Sequence, residues 1–156
     1  YIQDCFIEIF HAHFQETDVI AGVATGGIPH GALLAEKLNL PFIYIRSTEK
    51  KYGKKNRIEG VVNIGAKVLI IEDLVSTGKS SLNAMEPLIS LGCNISGLLS
   101  IFSYDFPETI EMMKDKNIKH KSLSNYNYLI KKAIEENFIS KEELAFLKEW
   151  NLNFKI

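Results

Sequence analysis

Four short apolar runs are hydrophobic almost without interruption: "DVIAGV" (18–23), "PFIYIR" (41–46), "KVLII" (67–71) and "ISGLLSIFSY" (95–104). A strand with one wet face alternates apolar and polar residues. A run that does not alternate must be covered on both faces, as parallel strands between helices are. The intervening segments supply the covers. "GIPHGALLAEKLNL" (27–40) gathers Leu33, Leu34, Ala35 and Leu38 on one side, and "KSSLNAMEPLISLG" (79–92) does likewise before Gly92, a C-cap signal. Pro87 removes a backbone donor from that second helix and predicts a kink. "PETIEMMKDKN" (107–117) predicts a third helix, followed by a short strand over 118–123. Ser124 is then placed to cap "NYNYLIKKAIEENF", and Ser140 to cap "KEELAFLKEW" with Glu143 set for a capping box. The alternation predicts an α/β fold, an open, mostly parallel, Rossmann-like sheet flanked by helices, with ligands at the C-terminal ends of the strands.

At 156 residues the chain suits a single domain over 1–156 with one core. Its formal net charge of -1 gives no global attraction to nucleic acid or to an anionic membrane, and neither is expected as a partner. Cys5 and Cys93 are too few for a disulfide framework, so a reducing, cytoplasmic setting is expected. No apolar run is long enough to span a bilayer, and no signal peptide opens the chain. His11, His13 and His120 show no grouping with Cys or carboxylates that would hold structural zinc.

The chemistry concentrates in "KVLIIEDLVSTGKSS" (67–81). It ends like a nucleotide-binding P-loop, in Gly78-Lys79-Ser80, but Asp73 stands where that motif needs its first glycine, with Glu72 beside it. Nucleoside triphosphate hydrolysis is therefore not expected. An apolar strand running into a turn and then a helix presents unpaired backbone N–H groups and the positive end of the helix dipole, which suit a phosphate. Ser76, Thr77 and Ser80 add hydroxyls, and Gly78 permits close backbone approach. Two carboxylates are poor phosphate ligands but good partners for sugar hydroxyls. The combination calls for a ribose carrying a phosphate at one end.

The same stretch resembles the 5-phosphoribosyl-1-pyrophosphate (PRPP) signature of the type I phosphoribosyltransferases. Three further stretches narrow the resemblance to the orotate phosphoribosyltransferase family: "GVATGGIPHGALLAEKLNLPFIYIR" (22–46), "KKYGKKNRIEG" (50–60) and the tail "SLSNYNYLIKKAIEENFISKEELAFLKEW" (122–150). The tail carries weight because other phosphoribosyltransferases do not share it. The resemblance implies Mg²⁺-dependent transfer of ribose 5-phosphate from PRPP to orotate, giving orotidine 5-monophosphate in pyrimidine (UMP) biosynthesis. Transfer to another nucleobase and PRPP-binding regulation without catalysis are the alternatives. It further implies that Glu72 and Asp73 hold the ribose 2- and 3-hydroxyls. Leu74, Val75, Ser76, Thr77, Gly78, Lys79 and Ser80 would take the 5-phosphate, with Ser76 also close to the orotate base. Ala24-Thr25-Gly26-Gly27 matches the family's pyrophosphate loop, which often contains a non-proline cis peptide.

Between Arg46 and Arg57 the chain reads "RSTEKKYGKKNR", six cations against the single acid Glu49. With almost no apolar anchor it is expected to move in the free protein. It stands where the family has a catalytic loop that closes over PRPP, often across a homodimer interface into the neighbouring site. A lysine-rich lid would stabilise the departing pyrophosphate and exclude water. Arg46 and Lys50 match PRPP-contacting positions, Lys50 and Asp73 being the expected catalytic pair, and Tyr52 replaces the usual His. A tyrosine donates a hydrogen bond but carries no positive charge near neutral pH. The metal is expected to ride on PRPP rather than in a protein cage. Residues 1–17 read as a helix and not as the Gly-Arg-bearing base-recognition loop of the family, so an N-terminal hood segment is expected to be missing from this sequence.

Overall fold

The computed structural model describes residues 1–46 and 57–155. In chain order the elements are α1 (Ile2–His13), β1 (Val19–Val23), α2 (Gly27–Leu38), β2 (Phe42–Ile45), β3 (Ile58–Glu59), β4 (Lys67–Val75), α3 (Lys79–Ser90), β5 (Asn94–Ser103), α4 (Pro107–Asp115), β6 (His120–Asn125), α5 (Tyr126–Glu135) and α6 (Lys141–Asn153). The strands form one sheet in the order β3-β2-β1-β4-β5-β6, and every pairing is parallel except β2 with β3. The open, mostly parallel α/β sheet expected from the apolar runs is the fold observed.

The period of two along β4 sorts its side chains between two cores. Val68 and Ile70 join Ala84, Met85 and Leu88 of α3 on one face. Leu69 and Ile71 join Phe6 and Phe10 of α1 and Leu34 and Ala35 of α2 on the other. In α2 the apolar stripe is narrower than expected, for Leu33 is 48% exposed while Leu34 is fully buried. Helix α2 closes at Asn39, in the left-handed region, with the Leu40 amide bonded back to the Ala35 carbonyl. Helix α3 runs through Pro87 and closes with Gly92 at positive φ, the Gly92 and Cys93 amides reaching back to Ile89 and Leu88, a Schellman arrangement.

Three boundaries differ from the sequence expectation. Strand β4 does not stop at Ile71. It continues through both acids to Val75, because β5 is long enough to pair with it there, Glu72 opposite Ser100 and Val75 opposite Ser103. Strand β6 runs to Asn125, which pairs with Ser103, and this moves the cap of α5 from Ser124 to Asn125. The two-residue β3 carried no pattern to read, and it is formed by pairing with β2. Among the described residues no helix is long and apolar enough to cross a membrane.

Candidate active site

Strands β1 and β4 lie side by side at the centre of the sheet, Gly22 opposite Ile71, and each ends in a turn that opens a helix. The end of β1 therefore sets the 24–27 turn against Ile71 to Asp73 of β4, which runs on to the 76–80 turn. Both helices start on glycine, α2 at Gly26 and α3 at Gly78, and neither start has a side-chain cap. The first amides of each helix are left to bond whatever enters, and the two dipoles favour an anion.

The two acids leave the strand on alternate sides, as consecutive strand residues do, yet their carboxylates come within hydrogen-bonding reach of each other. Glu72 follows Ile70 onto the α3 face. It is 5% exposed, and its Oε1 accepts a hydrogen bond of 3.1 Å from the Ser81 hydroxyl. Burial is the largest influence on its carboxyl and pushes the pKa up to about 7, while the Ser81 hydrogen bond pulls it down and the neighbouring Asp73 charge adds to the rise. Asp73 follows Ile71 onto the α2 face and is exposed, its Oδ1 accepting from the Leu74 amide at 2.9 Å. The 24–27 turn presses against it: a Cβ placed on Gly26 would meet the Asp73 carboxylate, and one on Gly27 would meet the Ile71 carbonyl oxygen. The Ala24–Thr25 peptide is cis, as the pyrophosphate loop of the resemblance led one to expect.

Around the second turn Ser76 and Thr77 are half-buried, Gly78 is buried, and Lys79 and Ser80 are exposed. Gly78 adopts φ 73°, which favours glycine. Val75 is a core residue and offers a ligand only its backbone, whereas Leu74 is 44% exposed. Thr25 is exposed at the rim. Arg46 stands beyond β2, held by reciprocal bonds with Arg57: its amide donates to the Arg57 carbonyl at 2.9 Å, and Arg57 Nε donates to the Arg46 carbonyl at 3.0 Å. Its Nη1 reaches Glu59 at 3.5 Å. Lys50 and Tyr52 lie outside the described residues.

Two residues of this region were not legible from the sequence. Thr109, in the first turn of α4, donates from Oγ1 to the Ser76 carbonyl at 3.0 Å and so props the turn from outside. Ser81 holds Glu72, as above. Each is a buried hydroxyl inside a helix, and neither carries a spacing signal toward its partner. At the far side of the site, Tyr104 stacks between Phe106 and Tyr126 and meets Trp150 edge-on, and Asn151 Nδ2 donates to its carbonyl at 2.8 Å. The tail thus packs onto the strand end beside the cradle, with Trp150 as its anchor.

A parallel sheet with two uncapped glycine turns and an acid pair between them is the frame of a phosphosugar transferase, and the chain belongs to the phosphoribosyl transferase domain family, whose model matches residues 2–136. Within it the chain falls in the orotate branch. It is 47% identical over 137 residues to an orotate phosphoribosyltransferase of Phocaeicola vulgatus, covering 88% of this chain and 65% of that protein. It is 42% identical over 153 residues to the orotate phosphoribosyltransferase of Listeria innocua, covering 98% of this chain and 73% of that one. The chain thus spans about two thirds to three quarters of the length of these relatives. Among solved structures, the orotate phosphoribosyltransferase of Aeropyrum pernix superposes with a TM-score of 0.75 at 26% identity, over 84% of this chain and 73% of that one. An adenine phosphoribosyltransferase of Thermoanaerobacter pseudethanolicus shares the fold, with a TM-score of 0.68 at 21% identity over 81% and 79% of the two chains.

Proposed function

We propose that this chain transfers ribose 5-phosphate from PRPP to orotate, releasing pyrophosphate and forming orotidine 5-monophosphate. One observation carries the reading: the Glu72 and Asp73 carboxylates meet at the end of β4, Asp73 against the 24–27 turn and Glu72 against the first turn of α3, and neither helix start has a side-chain cap. In this reading the two carboxylates grip the ribose hydroxyls. The 76–80 turn grips the 5-phosphate, and the 24–27 turn receives the pyrophosphate. A base nitrogen held near Ser76 attacks C1 of the ribose as the C1–O bond to pyrophosphate breaks. The protein's contribution is to position the reactants and to meet the charge that develops on the sugar and on the leaving group. Arg46, Lys50 and Tyr52 meet that leaving group from the 46–57 segment, which reaches the neighbouring site in a cytoplasmic homodimer.

Among the described residues no three His, Cys, Asp or Glu side chains converge to hold a metal ion. In this reading Mg²⁺ would ride on PRPP rather than in a cage of protein ligands.

The test is titration calorimetry of the full-length protein with PRPP and Mg²⁺, then with orotate, followed by turnover assays with orotate, uracil, adenine and hypoxanthine. Orotate is the expected acceptor. Asp73→Asn is expected to weaken PRPP binding by about 100-fold, the scale of charge-assisted hydrogen bonds lost from a ligand, with the fold intact. Unchanged PRPP affinity in that variant would remove the hydroxyl role, and PRPP binding without turnover of any base would favour a regulator.

A further inference from the structure

We propose that Ser81 is a positioning residue for the donor sugar: its hydroxyl fixes the plane of the Glu72 carboxylate so that the acid's remaining acceptor positions face the ribose hydroxyl. The inference rests on the PRPP reading above and adds a residue to it. Ser81 is fully buried, and its Oγ lies 3.1 Å from Glu72 Oε1. It cannot touch a phosphate as the exposed Lys79 and Ser80 can, although the three are consecutive. Instead it points back across the strand-to-helix unit onto the acid that precedes the turn.

A carboxyl group has two oxygens in one plane, so a donor held on one of them orients the other. Glu72 takes that hold from Ser81 and also interacts with its neighbour Asp73. Asp73 is fastened by the Leu74 amide and by the turn pressed against it. Glu72 is 5% exposed, where a carboxyl oxygen without a partner is costly and the side chain would turn to relieve it. Ser81 also belongs to the first turn of α3, the turn whose open amides would take the 5-phosphate. A single helix start therefore sets both the phosphate grip and the angle of the sugar grip, and the two move together.

The experiment compares Ser81→Ala and the shape-conserving Ser81→Cys, each in the parent chain and in a Glu72→Ala background. The readouts are KM for PRPP, KM for orotate, kcat and the thermal midpoint. In the parent background, Ser81→Ala is expected to raise KM for PRPP on the order of tenfold, with kcat and KM for orotate within about twofold. Ser81→Cys, a weaker donor, is expected to raise it about threefold and keeps the test open should the alanine variant fail to fold. In the Glu72→Ala background neither change should add more than about twofold, because the hydroxyl then has no acid to hold. An unchanged KM for PRPP in both variants would overturn the inference. So would an undiminished effect without Glu72, or a parallel loss in both KM values that tracks the thermal midpoint. A parent protein that does not bind PRPP would instead overturn the function itself, and the two failures are told apart by that first titration.

Discussion

Helices α2 and α3, which open from β1 and β4, begin differently from α5 and α6 of the C-terminal tail. In the tail, the Asn125 side chain accepts from the Tyr128 amide at 3.0 Å. Ser140 and Glu143 form a reciprocal box, Oγ accepting from the Glu143 amide at 3.1 Å and Oε2 accepting from the Ser140 amide at 2.7 Å. At the cradle, α2 and α3 start on Gly26 and Gly78 with no side-chain cap at all. A glycine start forgoes roughly a few tenths of a kcal/mol against a serine or aspartate cap, and it keeps the first amides free. Helices α1 and α4 also lack side-chain caps, but only α2 and α3 start on glycine, beside the acid pair. The tail is finished by its own side chains, and the cradle by what it binds.

The two cradle turns also differ from each other. The 24–27 turn is packed backbone against backbone, since a Cβ on Gly27 would meet the carbonyl oxygen of Ile71 in the central strand. The 76–80 turn is packed against side-chain ends, a Cβ on Gly78 lying 2.8 Å from the terminal methyl of Met113, and its glycine is needed for its positive φ. A methionine end can swing away, but a β-strand cannot. Gly27→Ala is therefore expected to destabilise the fold by about 3 kcal/mol, the upper range for overpacking. Gly78→Ala should cost nearer about 1 kcal/mol from its backbone conformation. Chemical denaturation of both variants measures the pair, and a larger loss at Gly78 would reverse the assignment of which turn is rigid.

A comparable contrast separates the two acids, and pH exposes it. Burial raises the Glu72 pKa to about 7 from an ordinary value of 4.5. Between those values the folded chain holds a proton that the unfolded chain has released, so stability falls as pH rises through this window and levels off above the folded pKa. The fall should amount to about 2 to 3 kcal/mol between roughly pH 5 and pH 8, at ~1.4 kcal/mol per pKa unit. Glu72→Gln removes the titration. Its stability relative to the parent is expected to climb over the same range, read from thermal midpoints in matched buffers. A flat difference would mean that Glu72 is charged in the free protein at every pH tested.

Much of this contrast was legible in the residues, and what was not has physical causes. The uninterrupted apolar runs required a sheet covered on both faces, and "EDLVSTGKSS" placed the acids before a phosphate-binding turn. Strand β4 was expected to end where its apolar run ends, because charge marks strand ends when the neighbour is unknown. Only the length of β5 carries the ladder through Glu72 and Asp73. That extension is what starts Glu72 toward α3 and Asp73 toward the 24–27 turn, a consequence of strand parity that a loop reading does not have. Ser81 and Thr109 were missed because their partners, Glu72 and the Ser76 carbonyl, meet them only through tertiary packing. The antiparallel pairing of β3 with β2 rests on two residues and has no periodicity to detect.

The smallest expected effect tests whether tail and cradle are separate at all. Ser140→Ala removes one half of the capping box and should cost about 1 kcal/mol of stability, a shift of a few degrees in the thermal midpoint. If the tail is only a self-capped cover, affinity for PRPP stays within about twofold of the parent. The structure nevertheless offers a route between the regions. Phe154, just beyond α6, stacks on Phe106 with ring centroids 4.1 Å apart, Phe106 begins α4, and Thr109 of α4 holds the Ser76 carbonyl. Loosening the tail could then loosen the phosphate turn, and PRPP affinity would fall in step with the midpoint. Measuring both quantities on the same variant decides between a passive cover and a buttress, and a fall in affinity abolished by Thr109→Val would trace the coupling to that hydroxyl.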